Sequence, residues 1–347
     1  MKALTFQGPR TVHVSDLPAP TLPDSDSVLI EVTASGICGS DLHTFDGHAF
    51  VSDTGFSLGH EAVGRIIESG SNVRSVKVGD RVLIPGSAGC NRCQECAGGW
   101  AMRCTGEGPG VYGIGVGLDG LQAQFAAVRN ADRNVVAIPE GISDDAAVLL
   151  TDNLPTGWCS ARQADVRPGA VVVVVGLGPV GLCAVMSAVA MGASRVLAID
   201  PLADRRQAAE KYGAEGVYND DVVAAVRELT RGRNADCVIE AVGHNATIET
   251  SIQLAAVGGT VAIAGVPVSM AIEFPLMHVF AAQIAVKSAL CSVQRELPVL
   301  LPLVEHGRLI PEEMVSHHFS LSEGQAAYDT FAQRKPGTQK VVFDNFD

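Results

Sequence analysis

The chain has 347 residues, enough for two domains with separate cores. Its net charge of −13 argues against a surface for nucleic acid or for an anionic membrane. Nine cysteines, an odd number with no framework spacing beyond one cluster, point to a reducing compartment and a cytoplasmic protein, and the opening MKALTFQGPRTVHVSD has no apolar core of signal-peptide length.

In chain order, the first 150 residues carry short alternating segments punctuated by Gly, Pro and Asp. SVLIEVTASG (27–36), EAVGRIIESG (61–70) and KVGDRVLIPG (77–86) read as strands, the last with a turn at Gly79-Asp80. From about Val171 the rhythm becomes strand and helix. VVVVVG (171–176), RVLAID (195–200), GVYN (216–219), DCVIEAVG (236–243), GTVAIAGV (259–266) and AVKSAL (285–290) read as strands. DRRQAAEKYGA (204–214) and DVVAAVRELTRG (221–232) read as helices between them. That alternation predicts an α/β fold with a parallel sheet covered on both faces. PVLLPLVEHGRL (298–309) is expected to be helical and KVVF (340–343) a closing strand. Pro168 to Ser194 holds no charged residue and is long enough to cross a bilayer. Its five valines followed by glycines instead predict a buried strand, a turn and a helix.

Three groups of residues carry chemistry. Upstream, Cys38-Gly39-Ser40-Asp41-Leu42-His43 follows a strand and Gly59-His60-Glu61 opens another. A sulfur and an imidazole, completed by a carboxylate, would hold a metal with one open position for a substrate oxygen. Next, Cys90, Cys93, Cys96 and Cys104 follow the spacing Cys-x2-Cys-x2-Cys-x7-Cys. Four thiolates in so short a loop suit tetrahedral Zn²⁺ in a closed, structural site. Finally, Gly176, Gly178 and Gly181 form G-x-G-x-x-G directly after a strand. The first permits the turn, the second lets a pyrophosphate approach, and the third lets the helix pack close with its N-terminus at the phosphates. Asp200 ends the next strand, nineteen residues beyond Gly181. It can accept hydrogen bonds from an adenosine ribose and repel a 2′-phosphate, which favours NAD over NADP, while Arg205 and Arg206 nearby could receive such a phosphate.

Taken together, the Cys-Gly-Ser-Asp-x-x-His segment, Gly-His-Glu, the four-cysteine lobe, Asp152 ahead of Thr156-Gly157, and VVVVVGLGPVG make the chain resemble the zinc-dependent medium-chain alcohol dehydrogenase family along its whole length. The likeness implies a GroES-like, β-rich catalytic domain (1–154, with a structural zinc lobe at 88–106), a doubly wound Rossmann NAD-binding domain (155–290), and a return to the catalytic domain (291–347), with the active site in the cleft between them. It implies two zinc ions per subunit. Cys38, His60 and Asp152 would ligate the catalytic ion, with aspartate where many relatives have cysteine, as in a tetrameric bacterial subgroup. Glu61 would lie beside the metal, able to coordinate it transiently, and Asp41 would hold the other nitrogen of His60. Ser40 would take the substrate's proton and pass it through the cofactor ribose to His43, because zinc lowers the pKa of a bound hydroxyl from about 16 to about 7. Thr156 and Val180 would set the nicotinamide face.

Besides Asp152, one further departure stands out. Gly39 occupies a place where some relatives carry a basic residue for the pyrophosphate. Lys340 is a candidate for that grip by position, or else a solvated surface lysine. The resemblance implies a zinc-dependent oxidoreductase moving hydride between a primary or secondary alcohol, or its aldehyde or ketone, and NAD. Alternatives within the family are a polyol, butanediol or amino-alcohol dehydrogenase, or a formaldehyde dehydrogenase-like activity, which LLTDNLPTGW and Ser316-His317-His318 resemble. No charged substrate anchor is evident, so small neutral substrates are favoured, with His48, Val111 and Leu290 as pocket candidates. A homo-oligomer is expected, tetrameric or dimeric, with the last Rossmann strand as an edge; no nucleic-acid or membrane partner is expected.

Overall fold

Val171–Val175 is the first strand of a six-stranded sheet in the computed structural model, which describes residues 1–48, 53–106 and 110–347. The chain divides into two compact units, Met1–Pro155 with Ser292–Asp347, and Thr156–Cys291.

In the second unit, strands Val171–Val175, Arg195–Ile199, Glu215–Val217, Ala235–Glu240, Ala255–Ile263 and Ala285–Ser288 lie in the order third, second, first, fourth, fifth, sixth. Each neighbouring pair is parallel. This is the Rossmann order, and parallel strands of that kind need helices on both faces. The valine run is apolar without alternation for that reason: Val172, Val173 and Val174 have no exposed surface. Val173 and Val175 join Leu197, Ile199, Val238 and Ile252 in the core. The uncharged stretch resolves into this strand and the helix Pro179–Ala190. Among the described residues no helix is long and apolar enough to cross a membrane.

The fifth strand begins four residues earlier than expected and stops at Ile263. Gly265 lies against Gly243, where a Cβ would stand 2.1 Å from the Gly243 nitrogen, so the chain after Ile263 makes a close loop crossing instead of continuing the ladder.

The first unit holds a seven-stranded sheet. Val28–Ile37 is its axis, pairing antiparallel with Ala62–Ser69, with Phe125–Val128 and with the C-terminal strand Lys340–Asn345. Arg81–Ile84 extends it beyond Ala62–Ser69, and Val315–Ser320 runs parallel to Lys340–Asn345 at the other edge. The expected Gly-Asp turn is closed by Asp80, whose Oδ2 accepts from the Lys77 amide at 2.9 Å. A GroES-like β-rich unit and a Rossmann unit thus make up the fold. The helix expected at 298–309 runs instead from Val293 to Glu305 and contains Pro298 and Pro302. Burial of Val293, Leu297, Leu300 and Val304 along one stripe outweighs the two missing donors, and Gly307 at φ +64° ends it.

Register carries the functional consequence. Val341 pairs with Ile37 and Ala62 with Ser35. Lys340, Cys38 and Glu61, each one residue beyond a paired position, therefore meet at the same end of the sheet.

The third glycine of the nucleotide loop is the most constrained: a Cβ on Gly181 would lie 1.9 Å from the Gly176 carbonyl oxygen. Gly181→Ala should push the helix off its strand and destabilise the chain by about 1–3 kcal/mol, seen as a lowered thermal midpoint; an unchanged midpoint would show the loop absorbs the methyl.

Candidate metal centres and nucleotide loop

Cys38 leaves the end of Val28–Ile37, His60 and Glu61 precede Ala62–Ser69, and Asp152 follows the helix Asp144–Leu150. The structure brings one ligand atom from each of these four residues within 4.8 Å of the others. The Cys38 Sγ is 3.2 Å from Asp152 Oδ2, and His60 Nε2 is 3.7 Å from the same oxygen. Asp41 ties the set together. Its Oδ2 accepts from the Cys38 amide at 2.9 Å, and its Oδ1 lies 2.9 Å from His60 Nδ1, a close contact that falls short of hydrogen-bond alignment. The ring is thereby turned so that Nε2 faces Cys38, Asp152 and the Ser40 hydroxyl, 3.3 Å away. Ser40 precedes the one-turn helix Asp41–Phe45 that also carries His43.

The electrostatics suit a cation. Burial pushes the Cys38 thiol up to about 11, and the charges of Asp152 and Glu61 push the same way. Burial also works against both His60 and Asp152. The Asp41 charge and the close contacts with Asp152, Asp41 and Cys38 nevertheless hold His60 well above the usual histidine range. The bond and charge of His60, with help from Cys38 and Lys340, bring Asp152 down to about 2. A buried carboxylate, a partly exposed one, a thiol and an imidazole around one point lack a central positive charge, and a divalent ion would supply it. Sulfur, nitrogen and oxygen donors in this mixture fit zinc.

Lys340 departs from expectation. It is fully buried. Its ammonium donates to Glu61 Oε2, to Asn153 Oδ1 at 2.6 Å and to the Ile37 carbonyl at 3.0 Å. It is therefore neither a solvated lysine nor free to grip a pyrophosphate. Burial alone would lower its pKa, but the Glu61 charge raises it above the ordinary lysine value. Asn153, which sequence reasoning passed over, joins the same group. Nothing in LLTDNLPTGW marks this amide apart from any helix-start asparagine, because its partners come from three distant segments.

The second cluster is the four-cysteine lobe. Cys93 and Cys104 sulfurs are 3.7 Å apart, too far for a disulfide. The distance matches the edge of a tetrahedron with zinc–sulfur bonds of about 2.3 Å. Backbone amides point at the sulfurs: Arg92 and Cys93 at Cys90, Cys96 at Cys93, and Cys90 and Gly106 at Cys104. The amides of Cys96 and Thr105 bring the Cys93 thiol down to about 6. Gly89 and Gly106 leave room for the sulfurs, since a Cβ would come within 2.8 Å of Cys96 Sγ and 2.4 Å of Cys90 Sγ respectively. The Asn134 side chain clasps both backbone groups of Gly89 at 2.9 Å, anchoring the loop.

In the second unit, Gly176 adopts φ +87°, and the position of a Cβ on Gly178 is open space. Pro179 opens the helix after Gly178, and Val180 is half-buried in its first turn. Asp200 Oδ2 accepts from the Leu177 amide and Oδ1 from the Leu202 amide, both at 2.9 Å. Arg205 Nη1 lies 3.7 Å from the same carboxylate. Arg206 is turned to the Asp200 and Pro201 carbonyls and stacks on Tyr218. Thr156 is half-buried on the helix Asn153–Gln163, its carbonyl accepting from Ser160 Oγ. Of the pocket candidates, His48 and Leu290 are exposed and Val111 half-buried. His318 lies between Asp145 and Asp344 in the first unit.

The family model of a zinc-binding dehydrogenase matches residues 179–306, and that of an alcohol dehydrogenase GroES-like domain matches residues 24–140. The chain is 41% identical over 334 residues to a probable zinc-binding alcohol dehydrogenase of Mycobacterium tuberculosis, spanning 96% of this chain and 86% of that one. It is 34% identical over 364 residues to an alcohol dehydrogenase of Cupriavidus necator, spanning 99% and 98%. The alcohol dehydrogenase TADH from Thermus sp. ATN1 matches it with a TM-score of 0.94 at 33% identity, over 100% of both chains. The chain belongs to the zinc-dependent medium-chain dehydrogenase/reductase family.

Cys90→Ala removes one donor of the lobe and leaves the Cys38 site untouched. Zinc analysis of the purified variant should find one ion per chain fewer than in the wild type, with a lower thermal midpoint. Equal metal content would rule the lobe out as a zinc site.

Proposed function

We propose that the chain is an NAD-dependent alcohol dehydrogenase, interconverting a small neutral primary or secondary alcohol and its aldehyde or ketone. The observation that carries this reading is the convergence of Cys38, His60 and Asp152 on one buried point, with the Ser40 hydroxyl facing it. Those three residues would hold zinc, which when bound supplies a Lewis acid that acidifies a substrate hydroxyl.

The chain's own groups do the rest. Asp41 fixes the orientation of His60, and so keeps Nε2 and not Nδ1 toward the ligand set. Ser40 accepts the hydroxyl proton, and His43, three residues further along the same turn, passes it to solvent. Bound NAD⁺ would supply the hydride acceptor, so that with the hydroxyl proton released as H⁺ and the carbinol hydrogen taken as hydride, alcohol to carbonyl balances. The glycine loop at Gly176–Gly181 would hold the pyrophosphate at the N-terminus of Pro179–Ala190. Asp200 supports NAD over NADP, because its charge stands where a 2′-phosphate would have to enter.

Self-association belongs to the same reading. Ala285–Ser288 is paired on one side only, and the neighbouring Met270, Leu276, Met277 and Phe280 are largely exposed. An unpaired strand edge beside apolar side chains favours pairing with a second copy.

A spectrophotometric screen of NAD reduction over alcohols, diols and polyols, with NADH oxidation by aldehydes, tests the activity. Turnover should appear with a neutral alcohol and be lost in Cys38→Ser, while NAD binding by fluorescence persists. Wild-type turnover in Cys38→Ser would overturn the assignment. Replacing Asp200 by Ser should raise the NADP-over-NAD ratio of kcat/KM by about 10- to 100-fold, the scale of relieving a like-charge contact. An unchanged ratio would show that Asp200 does not select the cofactor.

A further inference from the structure

We propose that Asn153 and Lys340 are positioning residues that hold Glu61 out of the metal's ligand set and keep one coordination position open. The inference rests on the reading that Cys38, His60 and Asp152 hold zinc.

Asn153, Glu61 and Lys340 have no exposed surface. The Asn153 Nδ2 lies 2.7 Å from Glu61 Oε1, 3.2 Å from Asp152 Oδ2 and 3.6 Å from Cys38 Sγ. Its Oδ1 accepts from Lys340 Nζ at 2.6 Å. An asparagine amide has a donor end and an acceptor end, and rotation by half a turn exchanges them. An ammonium has donors only, so Lys340 admits Oδ1 alone. The donor end is thereby turned to the thiol and the two carboxylates. A reversed amide would place oxygen against oxygen at Glu61 and Asp152 and leave two N–H groups against an ammonium.

Glu61 is held at both oxygens. Oε1 accepts from Asn153 and Oε2 from Lys340. To become a ligand it must give up two buried, charge-assisted bonds. The three protons of Lys340 are divided among Glu61, Asn153 and the Ile37 carbonyl, so the ammonium also anchors the strand end from which Cys38 emerges.

The backbone leaves space for this clamp. A Cβ on Gly36 would stand 2.1 Å from Glu61 Oε2 and 2.9 Å from Lys340 Cε. The Glu61 backbone is fixed in turn, its carbonyl accepting from the Gly36 amide at 3.0 Å and from Ser35 Oγ at 2.6 Å. Only the side chain is free to choose between clamp and metal.

The test uses the full-length protein loaded with Co²⁺ in place of zinc. Its visible spectrum reports the ligands, and the Cys38-dependent band is defined by difference from Cys38→Ser. Titration with imidazole reads the open position. In the wild type this band should shift on adding imidazole. In Lys340→Met the freed Glu61 should occupy the position, weakening the imidazole response by at least about tenfold. Lys340→Met combined with Glu61→Gln, which buries no unpaired charge, should restore it. If Lys340→Met does not fold, Asn153→Leu, which frees Glu61 Oε1 and leaves Oε2 on Lys340, should weaken the response roughly fivefold. A wild-type imidazole response in whichever of these single variants folds overturns the proposal. So does a response that stays weak in the double variant, which would show that Glu61 is not the competing group. Absence of any Cys38-dependent band in the wild type would overturn the zinc reading itself, and this inference with it.

Discussion

The Lys340–Glu61 pair is the constraint to which the rest of the site answers. Two opposite charges with no exposed atom are costly to desolvate, and such a pair holds only where every remaining donor and acceptor is satisfied. Here the chain meets that condition by bringing four segments to one place: the Gly36–Cys38 strand end, the His60–Glu61 turn, the Asp152–Asn153 helix start and the C-terminal strand. Each supplies one part that the others cannot. Ile37 offers a carbonyl, Gly36 offers empty space, Asn153 offers an acceptor, and Glu61 offers the countercharge. The cluster of Cys38, His60 and Asp152 assembled on such a base inherits its rigidity, because Cys38 and His60 are each directly bonded to a member of it in the chain.

Glycine performs a second function in this molecule besides bending the chain. At Gly36, Gly89 and Gly106 the absent side chain leaves volume for a carboxylate, a sulfur and a sulfur in turn, and at Gly181 for a carbonyl oxygen. The two cysteine-bearing clusters and the nucleotide loop therefore share one device, close backbone approach to a polar or charged group. Pattern reading recognises it where the spacing is regular, as in G-x-G-x-x-G, and misses it where the partner comes from far along the chain, as at Gly36.

The same distinction explains what the amino-acid order disclosed. Local rules sufficed for the valine strand and the glycine turn after it, for the alternation that builds the parallel sheet, and for grouping the four cysteines, whose ligand atoms lie within a single loop. They also sufficed to suspect Cys38 and His60, each flanked by a short polar motif. Lys340 was illegible for a physical reason: a lysine at the first position of a strand, just after a turn, looks solvated until antiparallel register places it opposite Cys38. Asn153 was illegible because its role depends on which end of its amide faces which neighbour, and that choice is made by a residue 187 positions away. Helix and strand limits shifted for lesser reasons, such as the burial stripe that carries Val293–Glu305 through two prolines.

Charge placement then separates the roles of Asp152 and Glu61. Asp152 keeps about a fifth of its side chain exposed, whereas Glu61 has none. Exposed to one side and bonded to His60 and Cys38 on the other, Asp152 remains ionised, with a pKa brought down to about 2 against the cost of burial. Its charge is available to a cation at the open face. Glu61 spends its charge on Lys340 behind the site. Two carboxylates a few ångströms apart are thus set apart by which of them meets the buried ammonium. The division needs no difference in intrinsic acidity, only the register that sets Val341 opposite Ile37.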